Sequence, residues 1–213
     1  MYRRSCLLLC FAAVVAAAAL RIPVGEFSQG RLVGWETKIF QGETRYGLME
    51  LDGRAVLKAE SRGTASGLVR KMAVDLENTP YLHWSWRAEN TLGKPDERSK
   101  SGDDYPARLY VVVSGGLVFW RTRSLNYVWA SRAATGSDWP NAFAGQSVRM
   151  LALRSGEEET GRWHEEKRNV RDDLKRYFKE DIRQIDAVAL MTDTDNTGGQ
   201  AVAYYGDIYF ASE

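Results

Sequence analysis

The sequence predicts an all-β protein, an antiparallel β-sandwich of jelly-roll type with one short amphipathic helix near residues 171–184. Three observations carry that expectation. Apolar side chains recur mostly at every second position, strand-like runs are separated by turn residues at hairpin spacing, and a single segment changes to a period near 3.6.

The chain opens on a segment read as a leader. "MYRRS" supplies Arg3 and Arg4, and an uncharged apolar run from Cys6 to Leu20 ends in Ala17-Ala18-Ala19, an A-x-A cleavage pattern. A membrane span takes about 20 apolar residues, and Arg21, Pro23 and Gly25 close this run too early. Cys10 follows Leu9 and Cys6 follows Ser5, neither of which suits lipid attachment. The expectation is a signal peptide over 1–19 and an exported single domain over 20–213, periplasmic or secreted, with no membrane span after cleavage.

After the leader, the pattern reads in twos. "TKIFQGETRYGLMEL" and "RAVLKAES" flank Asp52-Gly53, which predicts a hairpin because both turn residues tolerate positive φ. "GLVRKMAVDL", "YLHWSWRAE", "ARLYVVVS", "LVFWRTR", "LNYVWAS", "SVRMLALRS", "RWHEEKRNV", "IDAVALMT" and "AVAYYGDIYF" follow. Asn78-Thr79-Pro80, Gly115-Gly116, Asp138-Trp139-Pro140 and Gly198-Gly199 punctuate them. About ten or eleven short strands result. In "NVRDDLKRYFKEDIRQI", by contrast, Val170, Leu174, Tyr177, Phe178, Ile182 and Ile185 fall at helical spacing. Asp172 and Asp173 stand near its start, where the helix dipole favours them. The apolar stripe is expected to cap one open end of the sandwich. The longest irregular stretch, 88–106, is of a length that marks a mobile or functional loop.

Composition removes several function classes. Both cysteines lie in the leader, so residues 20–213 offer no disulfide, thiolate ligand or cysteine nucleophile. His83 and His164 are the only histidines, which leaves a zinc site short of ligands. No G-x-S-x-G elbow or glycine-rich phosphate loop occurs. Loss of Arg3 and Arg4 changes the formal charge from +1 to −1, with no basic excess for a nucleic acid. A hydrophobic content of 44% with 11% aromatic residues is that of a globular chain able to fold by core packing.

Six segments, in order, carry a resemblance: "TASGLVRKMAVDL", "PYLHWSWR", "GDDYPARLYVVV", "LNYVWAS", "VRDDLKRYF" and "VALMTDTDNTGGQAVAYYGDIYF". On these the chain resembles a bacterial family catalogued as domain of unknown function 3047, over about Gly34 to Phe210. The resemblance implies no activity. At the level of fold the layout is also similar to jelly-roll carbohydrate-binding modules of the galactose-binding-like type, which often finish on a strand with an aspartate, as "YYGDIYF" does here.

Three constellations are candidates for chemistry. Asp193, Asp195, Asn196 and Asp207 supply hard oxygen atoms suited to Ca²⁺, although without the spacing of an EF-hand. The same residues also read as a turn fastened by Asx side chains, or as catalytic carboxylates. Asp103, Asp104 and Arg108 read either as an ion pair pinning the long loop or as a polar floor that hydrogen-bonds vicinal sugar hydroxyls. Among the aromatic residues, Trp84 and Trp86 suit a sandwich core, whereas Trp120, Tyr127, Trp129 and Trp139 stand among polar residues and suit a half-exposed stacking platform. The expected ligand face is therefore Asp103, Asp104, Arg108, Asn126, Tyr127 and Trp129, gated by the 88–106 loop. The expected function is a non-catalytic binding module for a glycan or other polyhydroxylated ligand. Two alternatives remain open: a hydrolase of cell-envelope polysaccharide drawing on Asp103, Asp104, Glu165 and Glu166, and a structural envelope protein.

Overall fold

The computed structural model describes residues 20–93, 95–116 and 121–213. The leader expected over 1–19, Trp120 and most of the "LVFWRTR" segment lie outside these residues.

Fourteen strands are described: β1 Arg21–Gly25, β2 Trp35–Gln41, β3 Arg45–Leu51, β4 Arg54–Arg62, β5 Ala65–Asp75, β6 Tyr81–Ala88, β7 Ala107–Val113, β8 Arg123–Ala130, β9 Asp138–Asn141, β10 Gly145–Ser155, β11 His164–Asn169, β12 Gln184–Met191, β13 Gln200–Tyr205 and β14 Ile208–Ala211. Asp52 and Gly53 make the expected two-residue hairpin, at φ of 54° and 74°, with Leu51 opposite Arg54. β1 and β9 escape the alternation rule because they are short and carry prolines, Pro23 and Pro140, that read as breakers.

The strands form two seven-stranded sheets, packed as a β-sandwich. The first runs β1-β14-β6-β13-β4-β3, with β11 on the other side of β6; the second runs β2-β5-β12-β7-β8-β10-β9. The pairing is antiparallel except between β8 and β10, which run parallel. In the first sheet β13 and β14 share one edge of β6, Tyr205 opposite Trp86 and Tyr209 opposite His83, with Gly206 and Asp207 between them. β1 lies against β14, Arg21 opposite Ala211.

Period-two alternation builds the core. Leu82, Trp84, Trp86 and Ala88 of β6 turn inward and are buried, as do Leu125, Tyr127 and Trp129 of β8. The rings interlock: Trp84 lies 5.3 Å from Tyr127, and Trp86 meets Trp129 edge-on at 6.1 Å. Each such ring removes about 150–250 Å² from water, which is how a domain without cysteine obtains its stability.

The helix is α1, Val170–Phe178. Asn169 caps its first turn by accepting the Asp172 N–H at 3.1 Å, and Lys179 ends it at a φ of 60°. It is therefore shorter than the spacing predicts: Ile182 falls beyond it, and Ile185 is buried as part of β12. Val170 and Leu174 enter the core, and the Tyr127 hydroxyl donates to Asp173 at 2.8 Å, tying helix to sheet.

A second apolar cluster lies on the outer face of the second sheet. Val128 and Ala130 of β8 pack there with Met150, Ala152, Trp139 and Tyr105. The loop preceding β7 is fastened over them. Glu97, 3% exposed, accepts N–H groups of Arg132 at 3.1 Å and Ala133 at 2.7 Å, and its carbonyl accepts Trp139 Nε1 at 3.1 Å.

Candidate ligand-binding cleft

Alternation on the second sheet also decides what faces outward. Leu109 and Val111 of β7 point to the core, so Arg108 and Tyr110 point away from it. Across the strands, Gly67, Met191, Arg108 and Val128 stand side by side, and the next row holds Val69, Ala189, Tyr110 and Asn126. A cleft of about 340 Å³ runs over these rows, and every strand of the sheet contributes to its wall. Phe40 comes from β2, Ala65 from β5, Met191 from β12, Arg108 and Tyr110 from β7, Asn126 from β8, Val148 from β10 and Asn141 from β9. Since β2 and β9 are the two edges of the sheet, the cleft crosses it from side to side. Phe40 at one end is 67% exposed, and Phe143, just after β9 at the other, is 58% exposed.

The floor is polar, buried and prearranged. Arg108 donates to Asp193, whose other oxygen accepts the Tyr105 N–H at 3.3 Å. Asp103 accepts Asn141 Nδ2 at 2.7 Å and the Tyr105 hydroxyl at 3.1 Å. Asp104 takes three N–H groups from the far side of the cleft, from Asn196 N at 3.2 Å, Asn196 Nδ2 at 3.1 Å and Thr197 N at 2.6 Å. Asp103 and Asp104 reach these partners because Gly102 lets two stretches of loop touch. A Cβ there would lie 2.3 Å from the Asp96 carbonyl oxygen.

Burial sets the protonation chemistry. It raises the pKa of Asp103, with Arg108 pulling the other way. Asp195 is raised by burial and then by the neighbouring charge of Asp104. Burial pushes the Tyr110 hydroxyl up to about 12, so at neutral pH it is a protonated donor.

Of the six residues expected to bind ligand, Asp103, Arg108 and Asn126 line the cleft and Asp104 lies beside it, in the acidic cluster at its wall. Tyr127 and Trp129 do not. Both are fully buried on the core side, because strand neighbours face opposite ways and Asn126 already faces out. Trp139, 2% exposed, belongs to the outer cluster under the loop. Asp193, Asp195 and Asn196 join the cleft, but Asp207 lies in the link between β13 and β14 of the first sheet, where its carboxylate holds Ser28 through N at 2.8 Å and Oγ at 2.5 Å. Asp104 takes its place: Asp104, Asp193 and Asp195 each offer an oxygen within 4.8 Å of the others. Glu165 and Glu166 lie on β11 in the first sheet, so they form no carboxylate pair with Asp103 or Asp104. The aromatic rims, Phe40 and Phe143, are absent from the sequence expectation. Phe40 sits beside Ile39 in an edge strand, and Phe143 in a turn, where a lone ring carries no periodic signal.

A family model described as a protein of unknown function, DUF3047, matches residues 33–209. The chain belongs to that family. No curated protein matches it in sequence. Among solved structures, this DUF3047 member is similar to the family 30 carbohydrate-binding module of the cellulosomal cellulase Cel9D-Cel44B of Clostridium thermocellum, at 12% identity and a TM-score of 0.52, over 91% of this chain and 98% of that one. A cellulose induced protein, Cip1, matches at 8% identity and a TM-score of 0.49 over 88% and 96% of the two chains. A family 29 carbohydrate-binding module complexed with cellulohexaose matches at 8% and 0.44 over 91% and 92%. The first of these similarities supports the β-sandwich fold that the DUF3047 chain adopts.

Proposed function

We propose that this DUF3047 protein is a non-catalytic binding module for a glycan, held across the outer face of the second sheet. One observation carries the reading: all seven strands contribute to a single cleft that has an exposed ring at each end and a buried hydrogen-bonding floor. Six spacings of about 4.8 Å make the sheet about 29 Å wide, and a cleft of this volume falls within the range of about 300–1,000 Å³ typical of small-molecule sites. Phe40 and Phe143 would stack on the apolar faces of sugar rings, while Tyr110, Asn126 and Asp195 would meet hydroxyl groups. The family 30 module noted above supports the reading as a fold precedent. The bonds already made by Asp103, Asp104 and Asp193 favour binding over acid–base catalysis, since each carboxylate is fixed by donors. The signal-peptide pattern read in the sequence over 1–19 supports export to the periplasm or beyond. Among the described residues no helix is long and apolar enough to cross a membrane.

The test is isothermal titration against neutral, amino and acidic glycan oligomers, with Phe40→Ala and Phe143→Ala as variants. Millimolar or tighter binding, weakened by each substitution, supports the reading; no heat with any oligomer overturns it.

A second reading places Ca²⁺ at Asp104, Asp193 and Asp195, favoured by their three close oxygens. Ca²⁺ takes six to eight oxygens, and a half-turn of the Asn196 amide would add a fourth from the protein. Against it, Arg108 already balances Asp193, and backbone N–H groups hold Asp104. A melting temperature that falls in EGTA and returns with Ca²⁺ would favour the ion.

A further inference from the structure

We infer that the cleft selects glycans bearing free amino groups, 2-amino-2-deoxy sugars, over neutral and acidic ones; this rests on the glycan-binding reading above. The charge of the cleft is lopsided. Asp103, Asp193 and Asp195 line the cleft, with Arg108 the only cation among its described wall residues, and Asp104 lies within 4.8 Å of two of them. The guanidinium is committed to Asp193. In a concave, partly dry site such a surplus is weakly screened and is focused toward the opening.

Asp195 is where a cation fits. It is the most exposed of the four aspartates, and its carboxylate accepts the neutral Asn196 amide at 3.1 Å and its own backbone N–H, beside the Asp104 carboxyl. A carboxylate accepts about four, so Asp195 keeps capacity for an ammonium donor, a charge-assisted bond worth more than one from a hydroxyl. A second observation points to an acceptor on the same ligand. Arg108, 5% exposed and part of the cleft wall, has an Nε–H with no partner among the described residues. A sugar with an amine next to a hydroxyl supplies both signs at adjacent carbons. A uronate or sulfated sugar would set its anion against the four aspartates.

The experiment is titration of the full chain at low ionic strength with four oligomers: glucosamine hexamer, its N-acetylated counterpart, cellohexaose and an oligogalacturonate. The glucosamine hexamer is expected to bind about tenfold tighter than either neutral oligomer, with the advantage shrinking in salt and the oligogalacturonate not binding. Asp195→Asn, checked for an intact melting transition, should bring the ratio of amino to neutral affinity to about one. Equal wild-type affinities for amino and neutral oligomers overturn this inference and leave the glycan reading standing, as does tighter binding of the oligogalacturonate. No binding of any oligomer overturns both. Amino-sugar preference that appears only when Ca²⁺ is added assigns the aspartates to a metal and also overturns the inference.

Discussion

Arg108 and Asp193 meet in a buried ion pair, their side chains 6% and 0% exposed, between the start of β7 and the segment leaving β12. Removing one partner leaves the other charged and out of water. Arg108→Met is expected to cost about 3–5 kcal/mol, a fall in melting temperature on the order of 10 °C for a chain of this size. Urea denaturation checks it. The double variant Arg108→Met with Asp193→Leu should recover part of the loss, since neither orphaned charge remains.

The two sides of β8 separate stability from binding. Trp129→Ala should destabilise by about 3–5 kcal/mol, because the ring is fully buried against Trp86. Tyr127→Phe should cost about 1 kcal/mol through loss of the bond to Asp173, with Arg168 still holding that carboxylate. Neither should change the affinity of the folded protein for a glycan. Phe40→Ala should do the reverse, leaving the melting temperature within about 2 °C because the ring is exposed.

Asp195→Asn carries a pH signature. The folded pKa of Asp195 is raised, so the folded protein holds its proton more tightly than the unfolded chain does. The carboxyl therefore weakens folding as pH rises from its ordinary value of 3.8 through the folded value, and the penalty is complete at neutral pH. The variant should melt about 2 °C higher than wild type at pH 7, and the difference should vanish below pH 3.8. Melting curves from acid to neutral pH test the sign.

Gly102→Ala acts at a distance from any ligand. Its Cβ would strike the Asp96 backbone and displace Asp103 and Asp104 from their partners. Glycan affinity should fall about tenfold or more, while the cooperative core transition persists. A titration paired with near-ultraviolet dichroism distinguishes the two effects.

Much of the fold was legible because alternation is a local property. The hairpin at Asp52-Gly53, the runs that became β4 to β8, and the single helix all follow from spacing and turn chemistry. The site was only half legible for the same reason. "LNYVW" shows that Asn126 and Tyr127 face opposite ways, but not which way is out; that depends on where the second sheet lies. Polar neighbours in sequence suggested exposure for Trp129, yet those neighbours belong to the other face. Asp104 replaced Asp207 in the acidic cluster because contact is set by strand order, which brings β7 beside β12 and sends β14 to the other sheet. Phe40 and Phe143 meet one cleft from opposite edges of a sheet, a juxtaposition no window of the chain contains.

The pairing of β1 with β14 has an orientational consequence. Both lie in the first sheet, whereas the cleft opens on the far side of the second. A tether, tag or neighbouring module joined before Arg21 or after Ala211 would thus leave from the molecule's back, holding the aromatic-rimmed groove toward whatever surface the protein faces. Immobilisation through either end is accordingly the geometry in which binding should be measured without obstruction.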